Sequence, residues 1–296
     1  MSAIRTEKLS KYYGKRRGVV ELDLEVKPAE VFGFLGPNGA GKTTTIRLLL
    51  DLIRPSSGQA WVLGQPVRDN PALRRRVGYL PGELNLYDGL TGWELFRYFG
   101  RLRGKLDTTY LNQLIERFNL DPTHKLRTLS KGGKQKIGLV QAFMHRPELL
   151  ILDEPTSGLD PLLQAEFQKL VQEVRHEGAT VFLSSHVMGE VQALCDRVGI
   201  IREGRLVAVS AIHELAERSL RRVRIRFAEA INPKEWAQVP GLKNLRAEGD
   251  WLEATVQGSL DPLIKAAAQH QVRDFISQEP SLEEIFLAYY DGRSAA

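Results

Sequence analysis

Gly36-Pro37-Asn38-Gly39-Ala40-Gly41-Lys42-Thr43-Thr44 is the stretch that decides the fold of this chain. It matches G-x-x-x-x-G-K-[S/T], a loop whose glycines let successive backbone N–H groups curl around phosphate oxygens, while the helix that follows adds the positive end of its dipole. The motif has that meaning only between a strand and a helix, and both are readable here. Residues 31–35 form a short apolar run and residues 43–52 read as a helix. Lys42 is expected to reach the β and γ phosphates of a nucleoside triphosphate, and the Thr43 hydroxyl to ligate Mg²⁺.

A second strand end fits the first. Leu149-Leu150-Ile151-Leu152 is an apolar run that finishes in Asp153-Glu154-Pro155. On a buried parallel strand, both carboxylates arrive at the carboxyl edge of the sheet, where α/β proteins bind ligands. Successive strand side chains point to opposite faces, so the two acids are expected to do different work. Asp153 is the candidate partner of Mg²⁺, directly or through water. Glu154 is the candidate that polarises an attacking water.

Residues 180–183 and 198–201 add further buried strands, and the helical stretches between them imply a mainly parallel sheet. The front of the chain differs. Residues 4–9 and 19–26 look like an antiparallel pair joined across residues 14–18. Gly92–Arg103 and residues 109–119 read as helices of a subdomain at about 85–142. Beyond residue 213, Val223, Ile225 and Phe227 alternate with Arg222, Arg224 and Arg226, the pattern of a half-buried strand with a solvated basic face. Ser281 and Glu284 form a capping box for a last helix. The expected architecture is an α/β domain over 1–213, with an antiparallel β flank and a helical subdomain. A small α+β domain, ferredoxin-like in its element order, follows over 214–296.

Composition sets outer limits. The 296 residues are 43% hydrophobic and 26% charged, an ordinary globular balance, and the net charge of +5 arises in the first 213 residues, the tail being slightly acidic. One cysteine, Cys195, excludes an intrachain disulfide framework. No stretch approaches 18 consecutive apolar residues, so a membrane role requires another chain to cross.

Leu129-Ser130-Lys131-Gly132-Gly133-Lys134-Gln135-Lys136 resembles the signature motif of the ATP-binding cassette (ABC) family, usually written L-S-G-G-Q. Three more pieces follow the family's order. Tyr13 before Gly14 resembles the adenine-stacking aromatic, with Tyr12 as its competitor. Ser157-Gly158-Leu159-Asp160 resembles the loop after the acidic strand, and His186 in Ser184-Ser185-His186 the switch histidine.

The resemblance covers about residues 4–208 and implies a P-loop ATPase that binds ATP and Mg²⁺. Gly36, Pro37, Asn38, Gly39, Ala40, Gly41, Lys42, Thr43 and Thr44 would cradle the phosphates. Ser130, Gly132, Gly133 and Asp160 would meet a nucleotide shared with a second subunit in a head-to-tail dimer. His186 would bond to the γ-phosphate or the attacking water, and Glu154 would be the base. A helix beginning near Gly133 would leave its first amides and Ser130 free for an anion.

Two departures stand out. Lys131 replaces the first signature glycine and Gly133 the glutamine, and Gly82 stands where the family has the glutamine that contacts Mg²⁺. The implied setting is the motor of an exporter for a drug, antibiotic, lipid or other hydrophobic substrate, peripheral on the cytoplasmic face of the membrane and paired with a separate permease. The apolar segment 81–93 would receive that partner. The alternative is a soluble ABC ATPase acting on ribosomes or DNA. Only one cassette is present, with 88 residues from Lys42 to Ser130, so no nucleic-acid partner is expected.

Overall fold

The chain opens on an antiparallel pair, β1 (Ile4–Tyr13) and β2 (Arg16–Val26), which a two-residue turn at Gly14-Lys15 joins. The strands run further than their apolar residues suggest, so the expected five-residue loop shrinks. Between them the buried Thr6 hydroxyl donates to Leu22 O at 2.7 Å and accepts from Leu24 N at 3.0 Å. The computed structural model describes residues 2–104, 106–212, 214, 221–256 and 258–278. β3 (Val31–Leu35) leaves this flank, and β4 (Ser57–Val62) and β5 (Gln65–Pro66) return to it, giving the order β2-β1-β4-β5.

The central sheet adds β6 (Val77–Leu80), β7 (Leu149–Asp153), β8 (Thr180–Ser185), β9 (Arg197–Arg202) and β10 (Arg205–Ala211), in the order β10-β9-β3-β8-β7-β6. From β9 to β6 the neighbours are parallel. Every residue of β3, β7 and β8 is buried, as a parallel sheet covered on both faces requires. Phe32 and Phe182 stack at 5.9 Å in this core. Cys195 is buried beside Gly33, where an added Cβ would meet its sulfur at 2.9 Å. Burial pushes its thiol pKa up.

Among the described residues the strands of this unit are connected by the α-helices α1 (Lys42–Leu49), α2 (Gly92–Arg103), α3 (Thr108–Arg117), α4 (Lys131–Phe143), α5 (Pro161–His176) and α6 (Met188–Leu194). Each of α2 to α5 begins on a side-chain cap. Thr91 and Glu94 make a full capping box for α2, Asp107 caps α3, Ser130 caps α4 and Asp160 caps α5.

Two helix starts correct the sequence reading. α1 begins at Lys42 rather than Thr43 and stops at Leu49. α4 begins at Lys131, two residues before Gly133, because Ser130 Oγ accepts from Gly133 N at 3.1 Å. Ser130 and the Gly133 amide are therefore engaged with each other rather than both free. α2 is tied to the sheet through one polar chain. Arg103 Nη1 lies 2.6 Å from His145 Nδ1, and His145 Nε2 lies 3.3 Å from Val77 O.

The chain divides into two units, Met1–Val209 and Ser210–Ala296. In the second, β11 (Arg221–Phe227), α7 (Pro233–Trp236), β12 (Leu242–Glu248), β13 (Trp251–Val256), α8 (Asp261–Ala267) and β14 (Val272–Gln278) form an antiparallel sheet in the order β12-β13-β11-β14. Counted within the unit this is 2-3-1-4, the split β-α-β arrangement of the ferredoxin-like fold. Val223, Ile225, Phe227, Leu252 and Val256 close on Trp236 and Leu263 as one core. The capping box at Ser281 and Glu284 lies outside the described residues.

Candidate functional site

The phosphate loop leaves β3 and enters α1 through Gly41, whose φ of +113° lies in the region that suits glycine. A Cβ there would also stand 2.6 Å from Gly18 O. Lys42, 6% exposed, folds back over the loop and donates from Nζ to Gly36 O at 2.6 Å and Pro37 O at 3.3 Å. Burial pulls its ammonium pKa down, while Glu154 and Asp153 oppose that pull.

Next to Lys42, Thr43 Oγ1 donates to Asp153 Oδ2 at 2.8 Å. Asp153, 2% exposed, also accepts from the Ser184 hydroxyl, so a nearly buried carboxylate is satisfied by two donors. Glu154 leaves the strand with φ of +51°, a conformation that costs energy for a residue with a side chain. Its amide is held by Ser184, to O at 3.1 Å and Oγ at 3.2 Å. That turn brings Glu154 Oε1 to 3.0 Å from His186 Nδ1 and 3.9 Å from Lys42 Nζ. Lys42, Thr43, Asp153, Glu154 and His186 thus form one cluster at the carboxyl edge of β3, β7 and β8.

Other expected residues occupy different stations. Ser130, Gly132 and Gly133 gather at the start of α4, where a Cβ on Gly132 would meet Gly158 O at 2.8 Å. Asp160 spends its carboxylate on α5, accepting from Leu163 N at 3.0 Å. Tyr12 and Tyr13 are exposed to nearly the same degree, 44% and 46%. Position separates them, because a Cβ on Gly18 would meet Tyr13 Cε2 at 3.0 Å and Thr44 Cγ2 at 3.1 Å. The Tyr13 ring therefore reaches the side of the phosphate loop. Gly82 lies against the acidic strand end, with a Cβ there 3.2 Å from Asp153 Oδ2.

Three residues escaped the sequence reading. Ser184 was visible only as part of a Ser-Ser-His triplet, although a polar residue ending a wholly apolar strand was a usable signal. Gln135, buried in α4, donates to Pro155 O at 2.8 Å and Glu154 O at 3.3 Å, tying the signature helix to the acidic loop. Glu190 accepts from Thr156 Oγ1 at 2.6 Å and Ser185 Oγ at 3.2 Å. Nothing in local periodicity announces contacts between such distant segments.

The arrangement suits a polyphosphate. A buried ammonium, a glycine-rich loop and a helix N-terminus converge on one edge. Thr43 and Asp153 present hard oxygen donors of the kind Mg²⁺ prefers.

Comparison with known proteins agrees. The ABC transporter family model matches residues 19–157. An uncharacterised ABC transporter ATP-binding protein of Synechocystis sp. is 34% identical over 97% of this chain and 84% of its own. The linearmycin resistance ATP-binding protein of Bacillus subtilis is 32% identical over 96% and 97%. The bacitracin transport ATP-binding protein of Bacillus licheniformis is 39% identical over 73% and 72%. A solved ATP-binding subunit of an ABC transporter, 31% identical, superposes with a TM-score of 0.69 over 72% of this chain and 92% of the other. A dimeric bacterial ABC transporter cassette at 20% identity shares the fold with a TM-score of 0.66 over 71% and 98%. The chain belongs to the ABC transporter ATP-binding proteins, P-loop ATPases that bind and hydrolyse ATP.

Proposed function

We propose that this subunit powers export of a drug, antibiotic, lipid or other hydrophobic substrate through a membrane subunit made as a separate chain. Relatives named for linearmycin resistance and bacitracin transport support the export reading. Among the described residues no helix is long and apolar enough to cross a membrane, which is compatible with a peripheral place on the cytoplasmic face. Tyr87, Tyr98 and Leu102 are about half exposed, and the Tyr87 and Tyr98 rings meet edge to face at 5.9 Å. This apolar surface is the proposed seat of the membrane partner.

The observation that carries the hydrolytic assignment is the 3.0 Å approach of His186 Nδ1 to Glu154 Oε1, beside Lys42. Glu154 is the general base that takes the proton of the attacking water. His186 orients that carboxylate, and its exposed ring is available to the γ-phosphate or the water. Lys42 exchanges its carbonyl partners for β and γ phosphate oxygens, and the amides of Gly36 to Thr44 cradle the rest. Tyr13 stacks on the adenine.

Thr43 and Asp153 would hold Mg²⁺, which would supply positive charge against the phosphate oxygens. Gly82 brings no side chain to that place, so either water or Glu83 would stand in for the family's glutamine, or coupling would be less direct. A second copy packs head to tail, its Ser130, Gly132 and Gly133 facing this copy's nucleotide and its Asp160 loop lining the contact.

Glu154→Gln tests the assignment, because the amide is nearly isosteric and cannot accept the proton. We expect turnover to fall on the order of 100-fold or more while ATP binding stays. The ATP-loaded variant should accumulate as a dimer in sizing experiments, and vesicles carrying it with its membrane partner should not export. Wild-type turnover would remove Glu154 from its role.

A further inference from the structure

We infer that Glu190 is a positioning residue for hydrolysis, a clamp that holds the Glu154 segment and the His186 segment in register. The inference rests on the roles given above to Glu154 and His186. Its two carboxylate oxygens are divided between the two segments. Oε1 accepts from Thr156 Oγ1 at 2.6 Å, and Thr156 stands two residues after Glu154. Oε2 accepts from Ser185 Oγ at 3.2 Å, and Ser185 directly precedes His186. Both hydroxyl residues are buried, Thr156 to 7% and Ser185 to 3% exposure. An ionised carboxylate, which only accepts, is suited to two converging hydroxyl donors.

Packing encloses neither member of the reactive pair completely. The His186 side chain is 53% exposed and that of Glu154 27%. Their 3.0 Å contact therefore depends on where their backbones are held. One stitch is the Glu154 amide on Ser184 O, and Glu190 makes the other on the far side of both residues. The second stitch also steadies the costly turn. Ser157 N donates to Glu154 O at 3.2 Å and Leu159 N to Thr156 O at 3.0 Å, so Thr156 anchors the turn in which Glu154 keeps its positive φ. Ser185 Oγ further accepts from Val187 N at 2.9 Å, which wraps the chain around His186. Loss of the clamp lets the acid and the histidine drift apart, while the phosphate loop and its ammonium stay in place.

The test uses the full-length chain and reads kcat and KM for ATP in Glu190→Ala, Glu190→Gln and Thr156→Val, each also in the His186→Ala background. Glu190→Ala and Thr156→Val are expected to lower kcat on the order of tenfold, with KM held within about twofold. Glu190→Gln, which keeps one acceptor, should fall between them and the wild type. In the His186→Ala background the added loss should shrink below about twofold, because the clamp then has no pair to align. Thr156→Ser, which restores the hydroxyl, should recover most of kcat.

Wild-type kcat in Thr156→Val, a near-isosteric change that spares the core, overturns the inference. So does an undiminished loss in the His186→Ala background, which would mark a merely structural carboxylate. If Glu154→Gln and His186→Ala lose turnover while the Glu190 and Thr156 variants keep it, the clamp alone fails. If those two controls turn over normally, the fault lies in the roles assigned to the pair.

Discussion

The cluster at the carboxyl edge of the central sheet and the outer face of α2 depart from ordinary globular packing in opposite senses. At the edge, Lys42, Asp153, Ser184 and Ser185 are polar groups buried to 6% exposure or less, each with a hydrogen-bond partner. On α2 and the segment before it, Tyr87, Tyr98 and Leu102 are apolar groups left 45–56% exposed. Buried polar groups persist when they are mutually satisfied, and exposed apolar clusters persist when something covers them in the working state. The buried polar groups of the first region are therefore satisfied within one chain. The second is the side on which we propose that a partner sits. The chain Arg103, His145, Val77 O is a polar joint between α2 and the start of β6, at the other end of the sheet from the cluster.

The sharpest way to break this contrast is Lys42→Ala. It deletes a charge-assisted phosphate contact and no apolar packing, so ATP affinity should fall on the order of 100-fold with the fold unchanged. Titration calorimetry measures the affinity and circular dichroism checks the fold. Normal affinity would show that the edge does not bind through its buried ammonium. Tyr87→Asp comes next and should act in the other region alone. ATP binding by the isolated subunit stays normal, while transport by the assembled complex drops severalfold or more. A variant that transports normally would move the partner's seat elsewhere.

The third test reads stability rather than binding and concerns the joint. Burial and the neighbouring Arg103, opposed by the hydrogen bond that Val77 O accepts, leave the His145 pKa lowered to about 3. The unfolded chain binds that proton near the ordinary histidine value of about 6.5. Between these limits the unfolded state holds the extra proton. The joint's contribution is therefore full above about pH 6.5 and is lost as pH falls toward 3, by at most about 1.4 kcal/mol per pH unit. Urea midpoints at falling pH should drop less steeply in His145→Gln than in the wild type. Equal slopes would remove His145 as the source.

How much of this was readable beforehand depended on whether the signal was local. The phosphate loop and Asp153-Glu154 were legible because contiguous residues carry both the motif and its strand and helix context. Alternation likewise gave β11. β4 escaped because Ser57-Gly58-Gln59-Ala60 at its start is mostly exposed and shows no apolar period. The start of α4 was misplaced because glycines conceal a helix onset that the Ser130 cap sets. Glu190 was invisible for a third reason. Its partners stand 34 and 5 residues away in sequence, and only the β7–β8 pairing brings them together.

The buried position of Cys195 has a practical consequence. It is the single thiol of the chain, enclosed beside Gly33 and kept protonated by its surroundings. Thiolates, not thiols, react with maleimides and iodoacetamides, so the native chain is chemically silent toward such reagents. A cysteine introduced at an outer site such as Leu162, 82% exposed, becomes the only attachment point for a fluorophore or spin label. Distances between two copies could then be followed through the ATP cycle without first engineering a cysteine-free background.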